Sequence, residues 1–169
     1  LSTQGRKKSL LYGLSLVSDK HRSIDRDEGT VSRDSNDTDK LIINSRIGYY
    51  FSKKHKLELR YNRFSEQNKT YGAKLLSNSS YTEANDKSDI LGEKLRLTYK
   101  LKSSESFDST FYLSQDRVQD ELSLQDDPLT AYTESLKTSE FVENRFEYQG
   151  NLIAGENHIL TGGFVTAST

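Results

Sequence analysis

Ser88-Asp89-Ile90-Leu91-Gly92-Glu93-Lys94-Leu95-Arg96-Leu97-Thr98-Tyr99-Lys100-Leu101 alternates apolar with polar residues almost without error. Side chains of a β-strand point alternately to its two faces. Leu91, Leu95, Leu97, Tyr99 and Leu101 therefore share one face, and Gly92, Lys94, Arg96, Thr98 and Lys100 share the other, which is strongly basic. Glu93 breaks the apolar set and belongs near a rim.

The same two-residue period extends outward in both directions. Leu41, Ile43, Ile47, Tyr49 and Phe51 oppose Asn44, Arg46, Gly48 and Ser52, with Ser45 the polar exception on the apolar face. Leu57, Leu59 and Tyr61 oppose Glu58, Arg60 and Asn62, and Phe107, Phe111 and Leu113 oppose Asp108, Thr110, Ser114 and Asp116. Less regular strands are expected around Leu10 to Leu16, Val142 to Leu152, and Leu160 to Phe164. Apolar spacings of two and four are wrong for a helix, which needs three and four. No run of about eighteen apolar residues is available for a transmembrane helix either. The expectation is seven strands.

Between these strands the connections alternate: about 19 polar residues, then four, about 23, five, about 21 and five. Long loops on one side and tight turns on the other mark an antiparallel up-and-down transmembrane β-barrel, with short periplasmic turns and long extracellular loops. A soluble β-sandwich shows the same alternation. Length separates the two, because these runs of about 10 to 14 residues exceed the typical globular strand of about 5 to 6, whereas a tilted membrane strand needs about 9 to 11. Tyr49, Phe51, Tyr99, Phe107, Phe146 and Tyr148 gather near the short turns, as an aromatic girdle at the headgroup level would.

Composition alone points elsewhere, with 33% hydrophobic residues, 29% charged and a mean hydropathy of -0.80. A barrel reconciles these values with a membrane, because only alternate strand residues meet lipid. The balance of 24 basic and 25 acidic residues offers no net field for nucleic acid. With no cysteine there is no disulfide, zinc-thiolate site or cysteine nucleophile. The turns that open at Ser52, Ser103 and Ala154 are evenly spaced, but the residues after them do not match, so they reflect topology rather than a repeat. An odd count of seven, against the even number of bacterial barrels, together with ends lacking an export signal, leads to the expectation of one partial barrel domain spanning 1–169.

Glu143-Asn144-Arg145-Phe146-Glu147-Tyr148-Gln149-Gly150-Asn151-Leu152, running into Gly155-Glu156-Asn157-His158-Ile159-Leu160-Thr161-Gly162-Gly163, resembles a hairpin of TonB-dependent receptors. Lys54-His55-Lys56-Leu57-Glu58-Leu59-Arg60-Tyr61 is similar to another of their strand starts. The resemblance implies a barrel of about 22 strands plugged by an N-terminal domain. It also implies import of a scarce nutrient, most often a ferric siderophore or other iron chelate, driven by the inner-membrane TonB complex. The partners it implies are outer-membrane lipid, a plug domain of the same parent chain, that complex and the chelate. The rival expectations are a porin-like channel without a plug and a soluble secreted β-sandwich that binds a glycan or protein.

Two sets of residues are candidates for ligand contact. Inward-facing Arg46, Arg60, Lys94, Arg96 and Arg145, interleaved with Glu58, Asp108, Glu143 and Glu147, form either a solvated charge ladder mutually paired across neighbouring strands or a guide for an anionic ligand. Tyr71 and Tyr81 in a loop over 65–87, and Tyr132 in a loop over 117–137, are aromatics of the kind that carry binding energy in exposed loops. No metal or other cofactor is expected. His21, His55 and His158 fall in three different connections, and the acidic stretch of Asp25, Asp27, Asp34, Asn36, Asp37 and Asp39 lacks the spacing of a calcium loop. Catalysis is not expected, since no Gly-x-Ser-x-Gly elbow accompanies the many serines.

Overall fold

The computed structural model describes residues 1–24, 36–75, 81–125, 134–154 and 158–169. They form β1 (Ser2–Lys7), β2 (Leu10–His21), β3 (Asp37–Tyr50), β4 (His55–Leu75), β5 (Tyr81–Lys102), β6 (Phe107–Gln125), β7 (Glu134–Ala154) and β8 (His158–Ser168). All eight belong to one antiparallel sheet whose strand order is the chain order. The all-β, up-and-down architecture is therefore the one expected. The sheet is open, with β1 and β8 as its edges.

Among the described residues the strands number eight rather than the expected seven. Ser2–Lys7 carries no apolar residue that would mark a face, so nothing in it alternates. It becomes a strand through its partner, because Ser2 to Lys7 pair with Ser15 to Leu10 along the sheet edge. The turn is two residues long, and Lys8 takes a positive φ of 54°, which matches the right-handed twist of a tight hairpin. Since β1 runs toward the short turns, β2 is the first strand to run away from them.

The strands are also longer than their apolar segments. β4 and β5 reach 21 and 22 residues, and their pairing continues to Leu75 opposite Tyr81. β6 and β7 reach 19 and 21 residues and pair as far as Gln125 opposite Glu134. The expected loops over 65–87 and 117–137 are thus largely strand. Backbone pairing requires no apolar side chain, and polar pairs hold the distal parts: Gln67 donates to Asp89 at 2.7 Å, Thr38 to Asn68 at 2.9 Å, and Lys40 meets Glu66 at 2.9 Å.

Every ladder keeps one register from end to end, with no interruption in the described pairings. Residues of one face therefore line up in rows across the sheet. Leu10, Tyr49, Leu57, Tyr99, Phe111, Tyr148 and Phe164 make one row. Tyr12, Ile47, Leu59, Leu97, Leu113 and Phe146 make the next. Further from the short turns, Leu14, Tyr61 and Leu95 share a row with Ser45, Gln115 and Asn144. The following row brings charge, with Arg63, Glu93 and Arg117. Glu93 sits at that boundary, accepting from the Tyr61 hydroxyl at 2.8 Å and facing Arg63 at 3.9 Å.

Nothing in the described residues covers the apolar rows. Ile47, Leu113 and Phe164 are each more than half exposed, at 56%, 55% and 57%. A second layer of the kind that completes a β-sandwich is absent among the described residues, where Tyr71 is the sole buried hydrophobic side chain.

Candidate functional site

The opposite face carries the charge, and register decides how. Arg46, Arg60 and Arg96 stand directly opposite one another on β3, β4 and β5, and the row continues through Ser114 to Arg145. One row nearer the short turns lie Glu58, Thr98, Tyr112 and Glu147, and beyond them Lys56, Lys100 and Thr110. On the distal side Asn44, Asn62, Lys94, Asp116 and Glu143 form the next row. Like charges directly opposite one another oppose pairing, so each cation needs a partner.

Three of the five expected cations have a carboxylate. Arg60 donates through Nε to Glu58 Oε1 at 2.5 Å, Lys94 reaches Asp116 at 2.6 Å, and Arg145 lies 3.5 Å from Glu147. Of these only Lys94–Asp116 spans neighbouring strands, as a ladder would; Arg60–Glu58 lies within β4 and Arg145–Glu147 within β7. Arg46 instead donates to the side-chain carbonyl of Gln4 at 3.0 Å. Arg96 has no ion pair among the described residues; its guanidinium lies 5.4 Å from the centre of the Tyr112 ring, and its Nε is buried without a hydrogen-bond partner. A cavity of about 210 Å³ opens here, lined by Lys56, Glu58, Arg60, Arg96, Thr98, Lys100 and Tyr112. Lys56 and Lys100 were legible as polar-face residues two positions from Glu58 and Thr98, but only the register sets them opposite each other.

Of the three tyrosines, Tyr71 alone has a side chain among those described. Tyr71 lies within β4, is 9% exposed, and donates its hydroxyl to Asp37 Oδ2 at 2.6 Å. This is a structural clamp rather than a displayed ring: Lys69 Nζ lies 5.0 Å from the ring centre, and the Ser23 amide also donates to Asp37. The Tyr71 hydroxyl, and then the Ser23 amide, lower the Asp37 pKa to about 2. Tyr81 is the first residue of β5 and pairs with Leu75, so it too belongs to a strand. Tyr132 lies outside the described residues.

His21 ends β2, His55 begins β4 and His158 begins β8, so each closes or opens a strand rather than lying within a connection. No three metal-ligating side chains cluster among the described residues; Asp25, Asp27 and Asp34 lie outside them.

Two features escaped the sequence reading. On the apolar face the rings form a continuous ribbon: His55 to Tyr99 at 6.1 Å, Tyr99 to Phe111 at 6.2 Å, Phe111 to Tyr148 at 5.0 Å and Tyr148 to Phe164 at 5.7 Å. Clustering near the turns was legible, whereas alignment in one row depends on register. On the polar face, Val17, Ile42, Phe64, Val118 and Phe141 form an apolar row in which Gly92 makes room for the Phe64 ring. No family model matches the chain, and no curated protein does.

Proposed function

We propose that the chain forms part of the wall of an outer-membrane β-barrel, and specifically of a TonB-dependent receptor that imports a scarce nutrient such as a ferric siderophore or another iron chelate. The observation that carries this reading is the row of Leu10, Tyr49, Leu57, Tyr99, Phe111, Tyr148 and Phe164, backed by a second apolar row and left uncovered on a single-layer sheet. Lipid is the solvent that suits such a face, and the amphipathic rings suit its headgroup boundary. In lipid every backbone group needs a partner, so the open edges call for further strands of the same barrel.

In this reading the short turns face the periplasm and the charged face lines the lumen against a plug domain. Strands of 19 to 22 residues are about twice the length that crossing requires, and their distal halves stand above the membrane. The resemblance of 143–163 and 54–61 to TonB-dependent receptors supports the narrower assignment. Transport would then proceed by chelate binding to outer loops and plug, followed by force-driven plug rearrangement through the inner-membrane complex, with no covalent step.

Expression from the full coding sequence in a Gram-negative host tests both levels. The protein should fractionate with the outer membrane and require detergent for extraction, and uptake of labelled iron chelate should stop when the TonB complex is deleted. Recovery in the aqueous phase would overturn the barrel and favour a soluble binding module. Uptake indifferent to TonB would leave a porin-like channel.

A further inference from the structure

Four cations and one carboxylate line the cavity between β4, β5 and β6. Lys56 stands directly opposite Lys100, and Arg60 directly opposite Arg96, so two like-charge pairs flank the Glu58–Thr98 pair. Glu58, 5% exposed, accepts from Lys56 and Arg60, each at 2.5 Å. Arg96 and Lys100 have no carboxylate partner among the described residues, and Arg96 keeps a buried Nε without an acceptor. Two unneutralised cations beside a second like-charged pair destabilise the sheet unless an anion enters.

The donors also select the kind of anion. Arg96 sits in one row, Thr98 and Tyr112 in the next, and Lys100 in the third, so the cavity presents donors from three successive rows rather than from one plane. A planar carboxylate matches a single guanidinium edge. A tetrahedral oxyanion presents acceptors in several directions, and Arg with Lys is a well-suited donor set for phosphate. The volume of about 210 Å³ leaves room for a phosphate group and a substituent.

We propose that this cavity binds a phosphate group, held by Arg96 and Lys100 with Thr98 and Tyr112 donating between them. Glu58 holds Lys56 and Arg60 in place and limits the net charge of the cavity. Inorganic phosphate and a phosphate monoester present the same chemistry to these donors. The site rests on register and side chains alone, so it goes beyond the membrane assignment and stands or falls separately from it.

The test is calorimetric titration of the full-length protein in non-denaturing detergent, at ionic strength held constant with chloride. Inorganic phosphate and glycerol phosphate are the two probes. Saturable binding of at least one is expected, and the probe that binds more tightly identifies the source. Arg96→Gln and Lys100→Gln should each weaken it at least tenfold, while Lys102→Gln, one row nearer the turn on the same face, should change it less than twofold. Glu58→Gln should tighten binding and make thermal stability more dependent on phosphate. Should Arg96→Gln fail to fold, Lys100→Gln at an exposed position carries the same test. Absence of saturable binding by either probe, or equal weakening by Lys102→Gln, would overturn the proposal.

Discussion

Strands β4 to β7 are each two different structures joined end to end. Near the short turns one face is apolar, row upon row, and closes on the aromatic ribbon. Far from the turns the same strands continue with the same register but carry mostly polar residues on both faces, linked by contacts such as Gln67–Asp89 and Arg117–Glu140. The difference shows that alternation reports what a face meets, whereas the backbone ladder alone decides whether a strand continues. Where the residues on both faces are mostly polar, the strand persists and its sequence signal vanishes.

A charge moved along one face of β5 should break or sharpen that contrast most strongly. Leu97→Arg, in the apolar row, should cost about 2 to 4 kcal/mol in a bilayer, whereas Leu91→Arg, on the same face beyond Glu93, should cost about 0 to 1 kcal/mol. Refolding into lipid vesicles with denaturant titration measures both, and equal costs would erase the boundary drawn at Glu93. Gly92→Val comes next. A Cβ at this position would strike the Phe64 ring, and overpacking of this kind costs about 1 to 3 kcal/mol, recoverable in the double variant with Phe64→Ala.

In the distal half a single polar pair should matter little. Lys40 and Glu66 are opposite in register at 2.9 Å and partly exposed, so a double-mutant cycle should return about 0.2 to 1 kcal/mol, falling with salt. The smallest effect concerns pH. Asp37, held near a pKa of about 2 by Tyr71 and Ser23, keeps its clamp above the ordinary carboxylate range and loses it as pH falls through about 2. Hydrogen exchange at the Ser23 amide should therefore stay slow at pH 4 and accelerate toward pH 2, and Asp37→Asn should abolish the dependence.

This contrast also explains what the sequence revealed. The faces of Leu41 to Phe51 and Ser88 to Leu101 were legible because lipid-type and water-type residues alternate there. Tyr71 and Tyr81 read as loop residues because their neighbours are mostly polar on both faces, so nothing local distinguishes a polar strand from a loop. β1 was invisible for the same reason, its order coming from pairing with β2. The candidate cations were read correctly as one face, but not as a row. Opposition of Arg46, Arg60 and Arg96 is set by turn lengths and ladders that link residues far apart in the chain.

The uninterrupted register has a consequence for how such a chain can change over generations. Adding or deleting one residue inside a strand would exchange its faces from that point onward, turning arginines toward the apolar rows and leucines toward the charged side. With no bulge in the described pairings to absorb the slip, strand interiors can drift by substitution or by two-residue steps, and free variation in length is confined to the connections.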